Sequence, residues 1–230
     1  MPFAPHRMPS IPPDAKIAPP VWPWLWRFVQ LQVGLFVFAV SVTLMLEAGI
    51  GLDPWSAVHE GLVFQTQLSF GRVVQGVGTL LIAFSWVVLR IRPGVGTVCN
   101  MLFIGAWIDL IRSGEWIPVW EAPDLLAYGQ FLLGIVVNGF ATALYIGAHL
   151  GAGPRDSFVL GSSARLGKSI RVTRVGIELT LLATAFLIGG TIGWGTLIFA
   201  LLMGPVMQAS LRLMRVSSGP KLTEATLRFE

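Results

Sequence analysis

Apolar residues in this chain come in long runs, not in alternation. Six runs have spanning length: Phe28–Ala48, Phe70–Leu89, Val95–Ile111, Tyr128–Ala148, Val172–Gly190 and Trp194–Met214. A helix needs ~20 largely apolar residues to cross a hydrocarbon core of about 30 Å. In lipid every backbone polar group must be satisfied within the segment, and an uninterrupted run does this as a helix. Ten-residue stretches of strict apolar/polar alternation, the mark of a spanning barrel, are missing. The pattern predicts an all-α transmembrane fold with six spanning helices.

The runs are organised as a duplication. Displacing the chain by one hundred residues sets Gly34 on Gly134, Gly51 on Gly151, Pro54 on Pro154, Ser69 on Ser169 and Gly76 on Gly176. After a single-residue gap, Gly96-Thr97 meets Gly195-Thr196 and Gly105 meets Gly204. Each half holds three runs, with a short segment after the first, Pro54–Leu68 and Pro154–Gly167. The second of these carries Arg155, Asp156, Ser157, Ser162, Ser163 and Arg165. A charge near the centre of a spanning helix costs ~2.5–3.5 kcal/mol even on lenient insertion scales, so each short segment is expected to be a non-spanning or re-entrant helix. Three spans per half is an odd number, which turns the second half upside down: two inverted three-helix repeats, a plan common among secondary transporters.

Charge supports that topology. With the N-terminus inside, Arg7, Lys16, Arg27, Arg90, Arg92, Arg155, Arg165, Lys168, Arg171, Arg174, Arg212, Arg215, Lys221 and Arg228 are cytoplasmic, fourteen of the sixteen basic residues, leaving Arg72 and Arg112 outside. Cytoplasmic loops of membrane proteins carry such an excess. Counting the short segments as crossings gives a similar distribution, so length and polarity decide for six. The expected divisions are a Pro-rich cytoplasmic arm over 1–25, a first membrane repeat over 26–114, an external linker over 115–127, a second repeat over 128–214 and a cytoplasmic tail over 215–230.

Composition agrees. Of the 230 residues 54% are hydrophobic and 12% charged, about half the charge of an ordinary soluble domain. The first run is too long for a signal-peptide core and lacks a small-residue cleavage site, so it reads as a retained span. Cys99, the only cysteine, excludes an intramolecular disulfide and reads as a buried thiol. The net charge of +4 is explained by the cytoplasmic edges and calls for no nucleic acid. No phosphate-binding loop, metal-spaced His-Glu pair or nucleophile elbow is present, so neither an enzyme nor a metal or other cofactor is expected.

The phrases GLDPWSAVHEGL, RPGVGTVCNMLFIGAWIDL, GAGPRDSF, SIRVTRVGIELT and GWGTLIFALLMGP, in this order, resemble the YczE/YitT-like family of bacterial integral membrane proteins. The resemblance covers Phe28 to Met214 and implies a multi-pass protein of the bacterial cytoplasmic (inner) membrane, in which the charge distribution puts both termini inside. It brings no catalytic or binding residues. In the family an acidic residue often follows the Trp of the first motif; here that position is Ser56, whereas the second copy keeps Asp156.

Candidate chemistry gathers at the two motifs. Asp53-Pro54 and Gly153-Pro154 are helix-start signals, since Asp caps backbone N–H groups and Pro suits the first helical position. Two helix starts related by inverted symmetry could face one solute near the midplane, although Asp53 would consume its own helix's donors and an ordinary turn explains the motif as well. The candidate site comprises Asp53, Pro54, Trp55, Ser56, Asn100, Gly153, Pro154, Arg155, Asp156 and Glu178. Trp55 also reads as an interfacial anchor, and Asn100, Gln75, Asn138 and Gln208 as interhelical hydrogen-bond partners. Glu178 lies on one face with Arg174, as a local pair or as a carboxylate facing a polar cavity close to the helix that begins at Pro154. Asp109 is expected to pair with Arg112, and Glu47 and His59 to meet water at the outer surface. The leading functional expectation is a transporter or permease-like protein for an unknown small solute. The alternative is a scaffold or regulatory subunit assisting another membrane complex. Partners are the lipid bilayer and the solute, with a second copy or another membrane protein left open.

Overall fold

In the computed structural model, residues 23–120, 124–214 and 216 are described; the bulk of the expected arm and tail lies outside them. The described residues form eight α-helices and no strand: α1 (Trp24–Glu47), α2 (Pro54–Thr66), α3 (Phe70–Val87), α4 (Val95–Ser113), α5 (Leu125–Gly147), α6 (Pro154–Leu166), α7 (Ile170–Ile188) and α8 (Trp194–Leu213). Lengths match across the halves, at 24, 13, 18 and 19 residues in the first and 23, 13, 19 and 20 in the second.

Local chemistry sets the boundaries. Asp53, Ser69, Asp124 and Ser169 sit at N-caps and accept from backbone N–H groups two or three residues on, satisfying donors the helix cannot. Gly94 and Gly193 start α4 and α8, where the hydroxyls of Thr97 and Thr196 reach back to the cap N–H. The short helices end in left-handed residues, Gln67 and Gly167. Caps therefore repeat at the same offset as the sequence.

Five helices are long and apolar enough to cross a membrane: α1, α3, α4, α5 and α8. The sixth run, Val172–Gly190, folds as α7 but does not join them, because Arg171, Arg174 and Glu178 fall within its 19 residues. Five of the six expected runs thus form helices of spanning length and composition. At ~1.5 Å per residue the 13-residue α2 and α6 reach about 20 Å, too short to span a hydrocarbon core unaided.

The core is centred on α1 and α5, which pack closely on each other. Gly34 makes this approach feasible, since a Cβ there would lie 2.8 Å from the backbone nitrogen of Tyr145. Leu31, Leu35, Ala39 and Val42 of α1 and Phe131, Ile135 and Ala141 of α5 are buried, and Asn138 Nδ2 donates to Ser41 Oγ at 2.9 Å between the two helices. α4 leans on α1, and α8 on α5. The short helices cross over: α2 packs mainly on α7, and α6 mainly on α3. Each half thus lends its short helix to the other, and this exchange brings the two helix starts together.

Candidate solute site at the start of the two short helices

The site is built around Arg155, second residue of α6. Its Nη2 donates to His59 Nδ1 at 3.3 Å, its Nη1 lies 3.9 Å from Asp53 Oδ2, and its guanidinium carbon stands 5.4 Å from the centre of the Trp55 ring. All three partners belong to the first half. Trp55 also meets Phe158 edge-on, at 6.5 Å between ring centres. Here Trp55 is a contact between the two halves, in addition to any anchoring role.

Asp53 caps α2 as its residue type predicts: Oδ2 accepts from Trp55 N at 3.1 Å and Ser56 N at 3.2 Å. Pro54 follows in the first helical position, where a missing N–H costs nothing. Gly153 starts α6 without a side-chain cap, and Pro154 follows it. The carboxylate of Asp156 compensates: a Cβ on Gly153 would lie 3.5 Å from Asp156 Oδ2 and 3.2 Å from Asn100 Nδ2, so both groups crowd that helix start. Asp156 Oδ2 further accepts from Tyr145 Oη at 3.2 Å. Each short helix thus answers the positive end of its own dipole with a carboxylate, one from the N-cap and one from the first turn.

The structure brings together Asp53, Trp55, Ser56, Gly153, Arg155 and Asp156, with Pro54 and Pro154 setting the helix starts and Asn100 alongside. Glu178 stands apart: it pairs with Arg174 one turn away at 3.1 Å, both side chains well exposed at 38% and 50%. Among the described residues no hydrogen bond or ion pair joins this pair to the cluster.

Two residues central to the site were not among those expected there. His59 is 1% exposed and meets the Phe70 ring edge-on, instead of meeting water outside. Burial, and after it the Arg155 guanidinium, hold it well below its usual range. Because Arg155 can only donate, His59 Nδ1 accepts, and the proton of the neutral ring resides on Nε2. Tyr145, one of two tyrosines in the chain, lies nine residues before Pro154 near the end of α5; a phenol beside the second motif was the available signal. Ser56 Oγ and His59 Nε2 are buried and have no hydrogen-bond partner among the described residues.

A second polar region, a cleft of about 700 Å³, is lined by Glu47, Ser69, Arg72, Asp109, Arg112 and Glu115 among others. Here two expectations are corrected. Asp109 does not pair with Arg112: it accepts from Ser69 Oγ at 2.6 Å and Gly71 N at 2.8 Å at the start of α3. Arg112 instead binds Glu47 at 2.6 Å, and Glu47 is nearly buried. Helix packing places α1 beside α4, giving Arg112 a carboxylate that sequence distance hides.

With the geometry fixed, comparison with known proteins gives the lineage. Residues 25–212 match the model of a family of unknown function, DUF6198. The chain belongs to this family. It is 34% identical over 190 residues to the uncharacterized membrane protein YczE of Bacillus subtilis, covering 80% of this chain and 85% of the relative. It is 31% identical over 200 residues to an uncharacterized protein of Haemophilus influenzae, covering 83% and 88%, and 22% identical over 181 residues to the uncharacterized protein YyaS of Bacillus subtilis, covering 79% and 90%. No solved structure matches. The chain is a membrane protein of a YczE-like family of bacterial membrane proteins, as its motifs implied.

Proposed function

We propose that the protein is a small permease of the bacterial inner membrane, moving a small polar solute past Arg155. In this reading α7 crosses the membrane with its charges at the cytoplasmic edge, where Arg174 and Glu178 extend toward the headgroups. The two halves then run in opposite directions, both termini are cytoplasmic, and α2 and α6 are re-entrant. The observation that carries the proposal is the cluster itself: Asp53, Trp55 and His59 from one half close on Arg155 from the other. Charged groups inside a membrane protein are costly and mark pathways. A site at the junction of two exchanged short helices is where rocking of one half against the other would expose it to alternate sides.

The test does not require the solute. In a Cys99→Ala background, Ser56→Cys should react with a water-soluble charged thiol reagent from either face of oriented vesicles. A scaffold with a sealed interior gives no labelling from either side, and that result would overturn transport. Topology has its own check: a cysteine at Pro93 in the same background should resist an impermeant reagent in intact cells, and efficient labelling from outside would remove the inverted plan.

One observation favours the scaffold alternative. α7 and α8 make little contact with each other and expose Val175, Leu179, Phe186, Leu197 and Leu201. That surface would suit a neighbouring membrane protein or a second copy.

A further inference from the structure

Resting on the site proposed above, the geometry points to a chemical class for its ligand: we infer that Arg155 binds a small oxyanion, a carboxylate or a phosphate. The unused hydrogen-bonding capacity of the site singles out Arg155. Asp53 Oδ2 already accepts from two backbone N–H groups, and Asp156 Oδ2 accepts from Tyr145 while standing by its own helix start. The start of α2 is therefore closed to an anion, and the start of α6 already has a carboxylate beside it. Arg155 is different. A guanidinium carries five N–H donors, and among the described residues only His59 Nδ1 takes one; Asp53 at 3.9 Å lies beyond hydrogen-bond reach. The side chain remains 28% exposed, so a ligand can approach it.

Two further groups of the cluster are unsatisfied. Ser56 Oγ and His59 Nε2 are buried without partners, and the tautomer fixed by Arg155 makes Nε2 a donor. The unused N–H donors of Arg155 are a surplus that an oxyanion fills and a cation would not, whereas the Ser56 hydroxyl can donate or accept. The planar guanidinium fork matches the two oxygens of a carboxylate or phosphate. Charge permits it. Asp53 and Asp156 face two helix starts worth about half a positive charge each, together with Arg155, and the charge of Arg174 is offset by Glu178, so the centre is close to neutral before a ligand arrives. Binding would draw Arg155 from its long contact with Asp53, which keeps both of its backbone hydrogen bonds.

The full chain, purified in a neutral detergent, is unfolded by heat while acetate or inorganic phosphate is titrated against chloride at equal ionic strength. The expected result is a saturable rise in midpoint with at least one oxyanion, lost in Arg155→Gln and kept in Glu178→Gln. Arg155→Lys, which retains charge but not the fork, should bind about ten-fold more weakly, and carries the test if the Gln variant fails to fold. A rise given by short-chain phosphatidylglycerol but by neither free anion supports the same chemistry and assigns its source to a lipid headgroup. No rise with any oxyanion, or an equal rise in wild type and the Arg155 variants, overturns the inference. Binding without two-sided labelling of Ser56→Cys would keep the anion site and remove transport; two-sided labelling without binding would do the reverse.

Discussion

In the first half α3 and α4 lie backbone against backbone, whereas their counterparts α7 and α8 make little contact. The difference is carried by very few positions. Gly71 and Gly105 face each other so closely that a Cβ on either would collide with the backbone carbonyl of the other. Asp109, one turn on from Gly105, accepts from Gly71 N and Ser69 Oγ and locks the crossing. One hundred residues later Gly71 has become Arg171, and at the gapped offset Asp109 has become Gln208, while Gly204 keeps the place of Gly105. A Cβ on Gly204 would meet nothing within 4 Å. A small residue permits close approach but does not cause it. Both sides of the crossing must be small, and a polar group must hold the register.

The α3–α4 crossing is most vulnerable at its glycines. Gly71→Leu should abolish the α3–α4 crossing, destabilising by at least the ~1–3 kcal/mol usual for overpacking, because backbone is what must move. Gly204→Leu should change stability by no more than ~0.5 kcal/mol, as expected of an open surface. Heat unfolding of the two variants in one detergent reads both. Equal losses would mean that α8 has a partner on that face, in keeping with the scaffold reading.

The ion pairs repeat the contrast. Glu47 and Arg112 join α1 to α4 with the Glu47 side chain only 10% exposed, whereas Arg174 and Glu178 are neighbours on one helix and well exposed. Removing Arg112 strands a nearly buried carboxylate. Arg112→Gln should therefore cost about 1–2 kcal/mol, less than a fully buried pair because Arg112 itself is 41% exposed. A loss below about 0.5 kcal/mol in thermal unfolding would show that water replaces the arginine there.

What could be read from the sequence divides along the same line. Spans and short helices follow from apolar run length and from Asp-Pro and Gly-Pro starts, all local signals. The halves were visible as an offset, and the site motifs as its most polar stretch. Partners were not visible. Arg112 has Asp109 three residues away yet bonds to Glu47, 65 residues distant, because the α1–α4 packing decides which carboxylate it meets. His59 sits on a short helix of ambiguous polarity, and only the exchange of α2 and α6 between halves carries it inside against Arg155. The charges of α7 were legible, but an apolar average over 172–190 concealed their effect on its standing as a span.

Tyr145 ties the second half's long helix to its short one and has no equivalent in the first, where Met45 holds the place. Tyr145→Phe deletes one hydrogen bond to Asp156 and leaves the ring against Phe38, 6.1 Å away between centres. A loss of ~1 kcal/mol is expected for a bond of this kind. Because the Asp156 carboxylate keeps its place near its own helix start, oxyanion binding at Arg155 should persist. Loss of binding with little loss of stability would instead place the phenol in the ligand's own contacts.

The smallest effect is expected at Glu178, and its smallness is informative. An exposed pair one turn apart contributes ~0.2–0.5 kcal/mol, so Glu178→Gln should be almost silent in thermal unfolding. The substitution also frees Arg174 from its ion pair. If Glu178 serves only to hold Arg174 at the surface, releasing Arg174 adds at most a weak positive field to the site, and oxyanion affinity should stay the same or rise slightly. If the carboxylate instead turns into a polar cavity during a working cycle, stability still changes little, but labelling of Ser56→Cys should become one-sided. Stability and accessibility measured on the one variant thus separate a bond that only tidies the surface of α7 from a charge that the second half uses and the first half, with Gly78 in that place, does not.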